Sequence, residues 1–550
     1  MNFDPILLAP RMAPMKAAGL WRDQTINTFM ARALEDCPDK PAIVAYRQDA
    51  EAPERLSYRE LDRRVERIAR NLAALGVGHA DVVTFQLPNS WEFIALALAC
   101  ARIGAVANPV MPIFRQHELN FMLNFGESKV FIVPKTFRGF DYEAMAREML
   151  PGLPHLRRMV VLGGDGDDGF ERVLMKDSAA PLSGPGLAPD DVLLLMYTSG
   201  TTGEPKAVMH TSNTLFSNLH AYIEIMQLGA QDVVLGASPM AHLTGYGYLA
   251  MIPLILNSTT VLLDVWDARR ALQIARAESV TFSMASSAFV ADMCLAVENG
   301  EPPSPTFTKF NCAGAPIPPV LIERAWRAMG LRISSAWGMT ECGAVTVTEP
   351  ARALEKSGVS DGRPLPGIEL KVVDANGAEL PVGETGALKI RGASLFGGYL
   401  KRPQLNATTG DGWFDTGDLA FIDAEGYLRI NGRSKDLVIR GGENLPVMEI
   451  ENLLYGHPAI MACAVVGYPD KRLGERACAF VSLKPGTHFS LEEMRAWFEE
   501  RQVARQYCPE RLEIVDALPA TPSGKLQKFK LREIARQFAE LEEMGRERQA

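Results

Sequence analysis

From Ser57 to Val106 the chain runs through a pattern that leaves few folds open. "SYRELDRRVERIARNLAALG" starts at Ser57, with Glu60 three positions on, the spacing of a capping box. Leu61, Val65, Ile68, Leu72 and Leu75 then share one helical face, and Gly76 ends it. "VVTFQL", Val82 to Leu87, has strand character, and "WEFIALALACARIGAV" follows as an apolar helix. Strand, helix, strand order of this kind requires crossover helices and therefore a parallel sheet.

The texture changes downstream. From Gly367 onward, "IELKVVD", "GALKIRG" and "YLRING" are short alternating strands, split by turns such as Ala375-Asn376-Gly377. Beyond Arg433 the strands "ACAVVGY" and "ACAFVSL" mix with helices, and Ser490 with Glu493 repeats the capping-box spacing. The expected fold class is α/β: a large N-terminal part with two α/β subdomains and a β-rich subdomain, then a small mobile α+β domain. The expected boundary lies in "GRSKD", Gly432 to Asp436, dividing the chain into 1–434 and 435–550. A chain of 550 residues exceeds one ordinary core, which supports the division.

Charge and cysteine usage exclude several classes. The formal net charge is -9, and no basic footprint for nucleic acid stands out. The eight cysteines include no CxxC pair, which fits reduced thiols in a cytoplasmic protein and no zinc site. The N-terminus lacks the layout of a signal peptide. Val233 to Leu263 holds no formally charged residue, but prolines and polar residues interrupt it. It therefore predicts buried elements joined by a loop at His242, not a membrane span.

A core strand, "VLLLM" from Val192, runs directly into "YTSGTTGEPKAVMHT". A glycine-rich loop exposes backbone N–H groups, hydroxyls add donors, and Lys206 adds a positive charge, a combination suited to phosphate. The Walker pattern fails, because Pro205 precedes the lysine and Ala207 follows it.

The loop instead resembles the phosphate-grasping signature of the adenylate-forming superfamily: acyl-CoA synthetases, luciferases and adenylation domains. Other motifs similar to that superfamily follow in order. They are "SPMAHLTGYGY", "CAGAPIPP", "AWGMTECG", "GETGALKIRGASLFGGYL", "GWFDTGDLA", "GRSKDLVIRGGENLPVMEIE" and "PATPSGKLQK". The resemblance covers roughly Leu56 to Lys530. One departure is Trp337, where the motif usually carries tyrosine.

The resemblance implies a two-step ligase. A carboxylate attacks the α-phosphate of ATP to give acyl-AMP and pyrophosphate, and a thiol then displaces AMP. Thr198, Ser199, Gly200, Thr201, Thr202, Gly203 and Lys206 would hold the outer phosphates. Glu341 would bind Mg2+ and Thr340 would touch the α-phosphate. Gly314, Ala315, Pro316 and Trp337 would receive adenine, and Asp418 and Arg433 the ribose. Lys525 would bridge the carboxylate and α-phosphate in the transition state. It is also the residue that a lysine acetyltransferase and deacetylase would act on. Lys435 would be the hinge, and Gly441 and Gly442 would leave room for the pantetheine arm of coenzyme A.

His242 would gate the carboxylate. Tyr246, Gly247, Ala313, Gly314, Ala315 and Trp337 would wall the acyl pocket. No cation stands among them, so a hydrophobic acid is expected. A weaker resemblance to cyclohexanecarboxylate–CoA ligases and medium-chain acyl-CoA synthetases leaves alicyclic, medium-chain, aromatic and short branched acids in the class. The rivals are an adenylation enzyme loading a carrier protein, which free CoA as acceptor would rule out, and a non-catalytic binding protein. Intact Lys206, Glu341, Asp418 and Lys525 oppose the second. Luciferase-like oxygenation has no positive support.

Overall fold

A computed structural model describes residues 1–182, 186–198, 205–315, 317–433, 438–440, 443–445, 447–470, 473–501, 503, 507–521 and 526–547. The side chains of residues 433, 439, 443–444 and 539–547 lie outside that description. So do several residues the motifs single out: Ser199, Gly200, Thr201, Thr202, Gly203, Pro316, Lys435, Gly441, Gly442 and Lys525.

Two sheets dominate. The nine-stranded sheet has a parallel centre: Pro41–Tyr46, Thr259–Leu263, Val233–Gly236, Phe282–Ala285, Lys309–Cys312 and Arg332–Met339. In the seven-stranded sheet, Val192–Thr198, Val106–Pro109, Val82–Phe85, Val130–Pro134 and Arg158–Leu162 run parallel. The helix–strand order from Ser57 onward predicts this arrangement.

The helix Trp91–Arg102 buries every residue up to Ala101. It shares one core with Ile43 of the first sheet and Val83 and Phe85 of the second. A helix apolar on all faces has no solvent side to offer, so it lies between two sheets. The amphipathic helix Tyr58–Ala74 buries Leu61, Val65, Ile68 and Leu72, and its capping box between Ser57 and Glu60 is reciprocal.

The β-rich block is a four-stranded antiparallel sheet: Ile368–Val373, Gly386–Gly392, Phe414–Ile422 and Leu428–Arg433. The C-terminal residues form a five-stranded sheet around Ile460–Asp470 and Gly474–Leu483. Their apolar clusters draw only on residues from Val438 onward, a core of their own. The capping box at Ser490 and Glu493 is also formed. All eight cysteines are free, and six are buried.

One element carries no sequence signal. Thr244–Met251 is a π-helix, continued by the α-helix Ile252–Leu256. Single turns of this type are rare and concentrate at functional sites. Among the described residues, no helix is long and apolar enough to cross a membrane.

Candidate active site

The parallel strands of the nine-stranded sheet end together, and the motif loops leave from those ends. After Gly236 comes the loop to His242, after Cys312 the Ala313–Ala315 segment, and after Met339 the turn with Thr340 and Glu341. Carboxyl ends of parallel strands are where open α/β sheets bind ligands.

Thr340 and Glu341 occupy a tight turn. Arg332–Met339 pairs antiparallel with Gly343–Val347, and Met339 faces Gly343 across the turn. Glycine is required on both sides of it. A Cβ on Gly338 would fall 2.1 Å from the Gly343 carbonyl oxygen. Gly343 has φ +71°, and a Cβ there would lie 2.5 Å from Asn218 Oδ1.

Buried donors fix the turn from several directions. His210 Nε2 donates to the Thr340 carbonyl at 2.6 Å. The Phe396 N–H donates to the Glu341 carbonyl at 2.7 Å. Asn218 Nδ2 donates to the carbonyls of Cys342 and Ala344 at 3.2 and 2.6 Å. The Tyr248 hydroxyl donates to Asn218 Oδ1 at 2.5 Å and accepts from the Ala344 N–H at 2.6 Å. Tyr248 belongs to the π-helix, which ties the acyl-pocket motif to the strand after Glu341. Burial lowers the His210 pKa to about 4, so its imidazole is neutral and Nε2 carries the proton that Thr340 accepts.

The Glu341 side chain is buried as well, at 4% exposure. Its Oε1 accepts from the Tyr399 hydroxyl at 2.6 Å. Lys206 Nζ donates to the same hydroxyl oxygen at 3.1 Å and sits 4.4 Å from the centroid of that ring. Burial first, and then the Glu341 carboxylate, raise the Tyr399 pKa, so the hydroxyl stays protonated and donates.

The phosphate motif differs from a P-loop in the element on its C-terminal side. Thr198 and Lys206 are register partners across the antiparallel pair Val192–Thr198 and Lys206–Thr211. Among the described residues, the helix that follows begins at Ser212, after the strand Lys206–Thr211. Thr198 Oγ1 is buried without a hydrogen-bond partner among the described residues, a donor suited to a phosphate oxygen.

At the other end, Trp337 Nε1 donates to Asp418 Oδ2 at 3.1 Å. Asp418 is 5% exposed and is the register partner of Arg433. Trp337 lacks the hydroxyl of tyrosine but brings an N–H, and that N–H meets the carboxylate expected at the ribose. Gly314 has φ +80° with open space where a Cβ would stand, and Ala313 packs on the main core.

His242 is half-buried. Its Nδ1 accepts the Thr244 N–H at 3.2 Å, so in the neutral ring the proton sits on Nε2. Asn89 shapes the approach to it, donating to Gly236 and Ser238 carbonyls and accepting from the Met240 N–H. Tyr246 is wholly buried edge-on to Phe93, its hydroxyl unpartnered among the described residues. A Cβ on Gly247 would point at Leu219 and Leu215 of a neighbouring helix.

An N-terminal segment braces the site from behind. Arg11 donates to the carbonyls of Leu7, Gly392, Leu395 and Phe396, and burial lowers its pKa to about 10. Trp21 Nε1 donates to the Ala393 carbonyl. Arg11 thus fixes the stretch whose next residues hold Glu341.

Residues 30–400 match the sequence model of the AMP-binding enzyme family, and residues 449–525 match the AMP-binding enzyme C-terminal domain. The medium-chain fatty-acid–CoA ligase of Escherichia coli (strain K12) is 33% identical over 528 residues, 95% of this chain and 92% of the relative. A salicylyl-CoA synthase / salicylate adenylyltransferase from a Streptomyces sp is 34% identical over 534 residues, 95% of each chain. Among solved structures, the anthranilate CoA ligase AuaEII in complex with anthranoyl-AMP superposes with a TM-score of 0.85 at 25% identity, over 94% of this chain and 98% of that one.

The mixed α/β fold, a large N-terminal domain followed by a small C-terminal one, matches that of adenylate-forming enzymes. The chain belongs to the AMP-binding enzyme family. Within it, the chain is an AMP-forming acid–thiol ligase, an acyl-CoA synthetase.

Proposed function

We propose that the enzyme converts a hydrophobic carboxylic acid to its CoA thioester in two half-reactions, using ATP, Mg2+ and coenzyme A. The observation that carries the reading is the convergence of Lys206 and Glu341 on one hydroxyl, beside the buried hydroxyl of Thr198. An anionic acid and an anionic nucleotide meet only where positive charge is supplied. Lys206, with Thr198 and the Ser199–Gly203 loop, would take the outer phosphates. Glu341 would hold Mg2+, whose charge offsets that of the phosphate oxygens. An oxygen-donor carboxylate fits a hard cation.

In the first half-reaction a carboxylate oxygen of the acid bonds to the α-phosphorus, and the bond to pyrophosphate breaks. Thr340 would contact the α-phosphate, and Lys525 would lie between the two anions. Asp418 and Arg433 would receive the ribose hydroxyls, and Trp337, Gly314, Ala315 and Pro316 the base. In the second, the CoA sulfur bonds to the acyl carbon and AMP leaves. A small domain beginning at residue 435 would turn on Lys435, withdrawing Lys525 and bringing Gly441 and Gly442 to the pantetheine channel.

For the acid, alicyclic, medium-chain or aromatic groups suit a wall of Tyr246, Gly247, Ala313, Gly314, Ala315 and Trp337, with His242 at its mouth. Acetylation of Lys525 would remove the bridging charge and silence the first step, and intact mass with activity before and after enzymatic deacetylation tests it. A cytoplasmic location suits eight free thiols.

Pyrophosphate release across a panel of carboxylic acids, with and without CoA and with no other protein, tests the whole. The expected result is release with hydrophobic acids and thioester only when CoA is present. No acyl-AMP from any hydrophobic acid would overturn it.

A further inference from the structure

The motif "LFGGYL" ends in Tyr399 and Leu400, and the two half-reactions assign nothing to the tyrosine. Its ring is 3% exposed, packed against Phe396 with centroids 4.8 Å apart. Its backbone N–H is held by Asn406 Oδ1 at 2.9 Å. It pairs with Val208 on the neighbouring strand, which places it diagonally beside Lys206.

The chemistry of the contact is specific. An ammonium has only donors and a carboxylate only acceptors. A hydroxyl accepts from one and donates to the other, and Tyr399 does both, at 3.1 Å from Lys206 and 2.6 Å from Glu341. Without an interposed group, a lysine and a buried carboxylate this close would pair directly. Each would then spend its charge on the other. A neutral spacer on a rigid strand holds the two groups apart and fixes their separation.

We propose that Tyr399 is a positioning residue that couples the metal-holding carboxylate to the phosphate-holding lysine, so that Mg2+ and the triphosphate bind cooperatively. This rests on the roles proposed for Glu341 and Lys206. Phenylalanine at 399 keeps the ring and removes the spacer. Glu341 Oε1 then loses its donor, and Lys206 is drawn into an ion pair with it.

The test is calorimetric binding of a non-hydrolysable α,β-methylene analogue of ATP, with and without Mg2+, to the full chain. In Tyr399→Phe, the gain in affinity produced by Mg2+ falls by about tenfold, the scale of one charge-assisted hydrogen bond. Binding without Mg2+ changes by less than about threefold. Thioester formation from supplied acyl-AMP, which carries no outer phosphates, falls by less than acyl-AMP formation, and an unchanged thermal midpoint reports that the variant is folded. An unchanged Mg2+ gain overturns the inference, and so does an equal loss of both half-reactions, which would mark a merely structural tyrosine.

Lys206→Met leaves the Tyr399–Glu341 bond in place and provides a second route. It should lose Mg2+ gain as well as affinity, and a full gain in that variant also overturns the coupling. Glu341→Gln separates the two levels. If it retains the Mg2+ gain, the metal assignment itself is wrong. If it loses the gain while Tyr399→Phe keeps it, only the coupling fails.

Discussion

The turn carrying Glu341 and the loop carrying Lys525 are both short polar connections, yet the fold secures them in opposite ways. The turn is held by His210, Asn218, Phe396 and Tyr399, from 55 to 131 positions away in the chain. The loop is closed at its base by its own neighbours. Gln527 N–H donates to the Pro519 carbonyl at 2.7 Å, and Ala520 bridges Leu526. Beyond it, Lys528 pairs with buried Glu451 at 2.7 Å, and Glu451 Oε1 also accepts the Val465 N–H. One carboxylate is woven into the large domain, whereas the lysine loop is anchored within the small one. The second arrangement suits delivery by rigid-body motion, because these bonds at the loop's base all lie within the small domain.

The largest effect expected tests that contrast directly. Lys525→Ala should lower acyl-AMP formation by about 100-fold or more while largely sparing thioester formation from supplied acyl-AMP. Separate single-turnover assays measure this, and equal losses would erase the distinction between a built-in and a delivered residue. Next is the anchor. Glu451→Ala strips Lys528 and the Val465 N–H of their acceptor and should cost the small domain about 2–3 kcal/mol in denaturant titrations. AMP affinity should not change if the large domain holds the nucleotide alone.

The turn has its own signature, in pH. His210 is depressed from 6.5 to about 4 by burial, so the unfolded chain binds the extra proton first. The neutral ring's contribution is present above about pH 6.5 and is lost as pH falls toward 4. Between pH 7 and pH 5 the wild type should lose about 2 kcal/mol on this account. His210→Gln, which keeps a donor for Thr340, should flatten that part of the slope. The smallest effect lies at the ribose. Trp337→Phe should weaken ATP by about 1 kcal/mol through Asp418. It should leave 2′,3′-dideoxy-ATP unaffected, and equal weakening of both would reduce Trp337 to a stacking surface.

Much of this architecture was legible in the residues. Both capping boxes form as their spacing predicts, and the largely apolar, buried helix from Trp91 shares one core with strands of both sheets. Lys206, Glu341 and Asp418 stand out because their motifs do. Tyr399, His210, Asn218 and Tyr248 do not, because each acts through a partner distant in sequence, and a tyrosine or asparagine in an apolar run has many ordinary uses. The π-helix escaped for a related reason. Thr244–Met251 is apolar almost throughout, so no hydrophobic period distinguishes one helical geometry from another. Trp337 was visible as a departure from tyrosine, but the acceptor of its N–H was not, since Asp418 lies 81 positions on.

The strand that begins at Lys206, in register with Thr198, bears on how the reaction ends. In a P-loop, a helix begins at the phosphates and its dipole grips the product as firmly as the substrate. Here Lys206 opens a strand, and among the described residues the helix that follows starts at Ser212. If Thr198 and Lys206 take the outer phosphates as proposed, pyrophosphate meets a strand-borne ammonium and a hydroxyl there once the α–β bond has broken. On that reading the inorganic product leaves without a helix of the described residues to hold it, and the thiol follows.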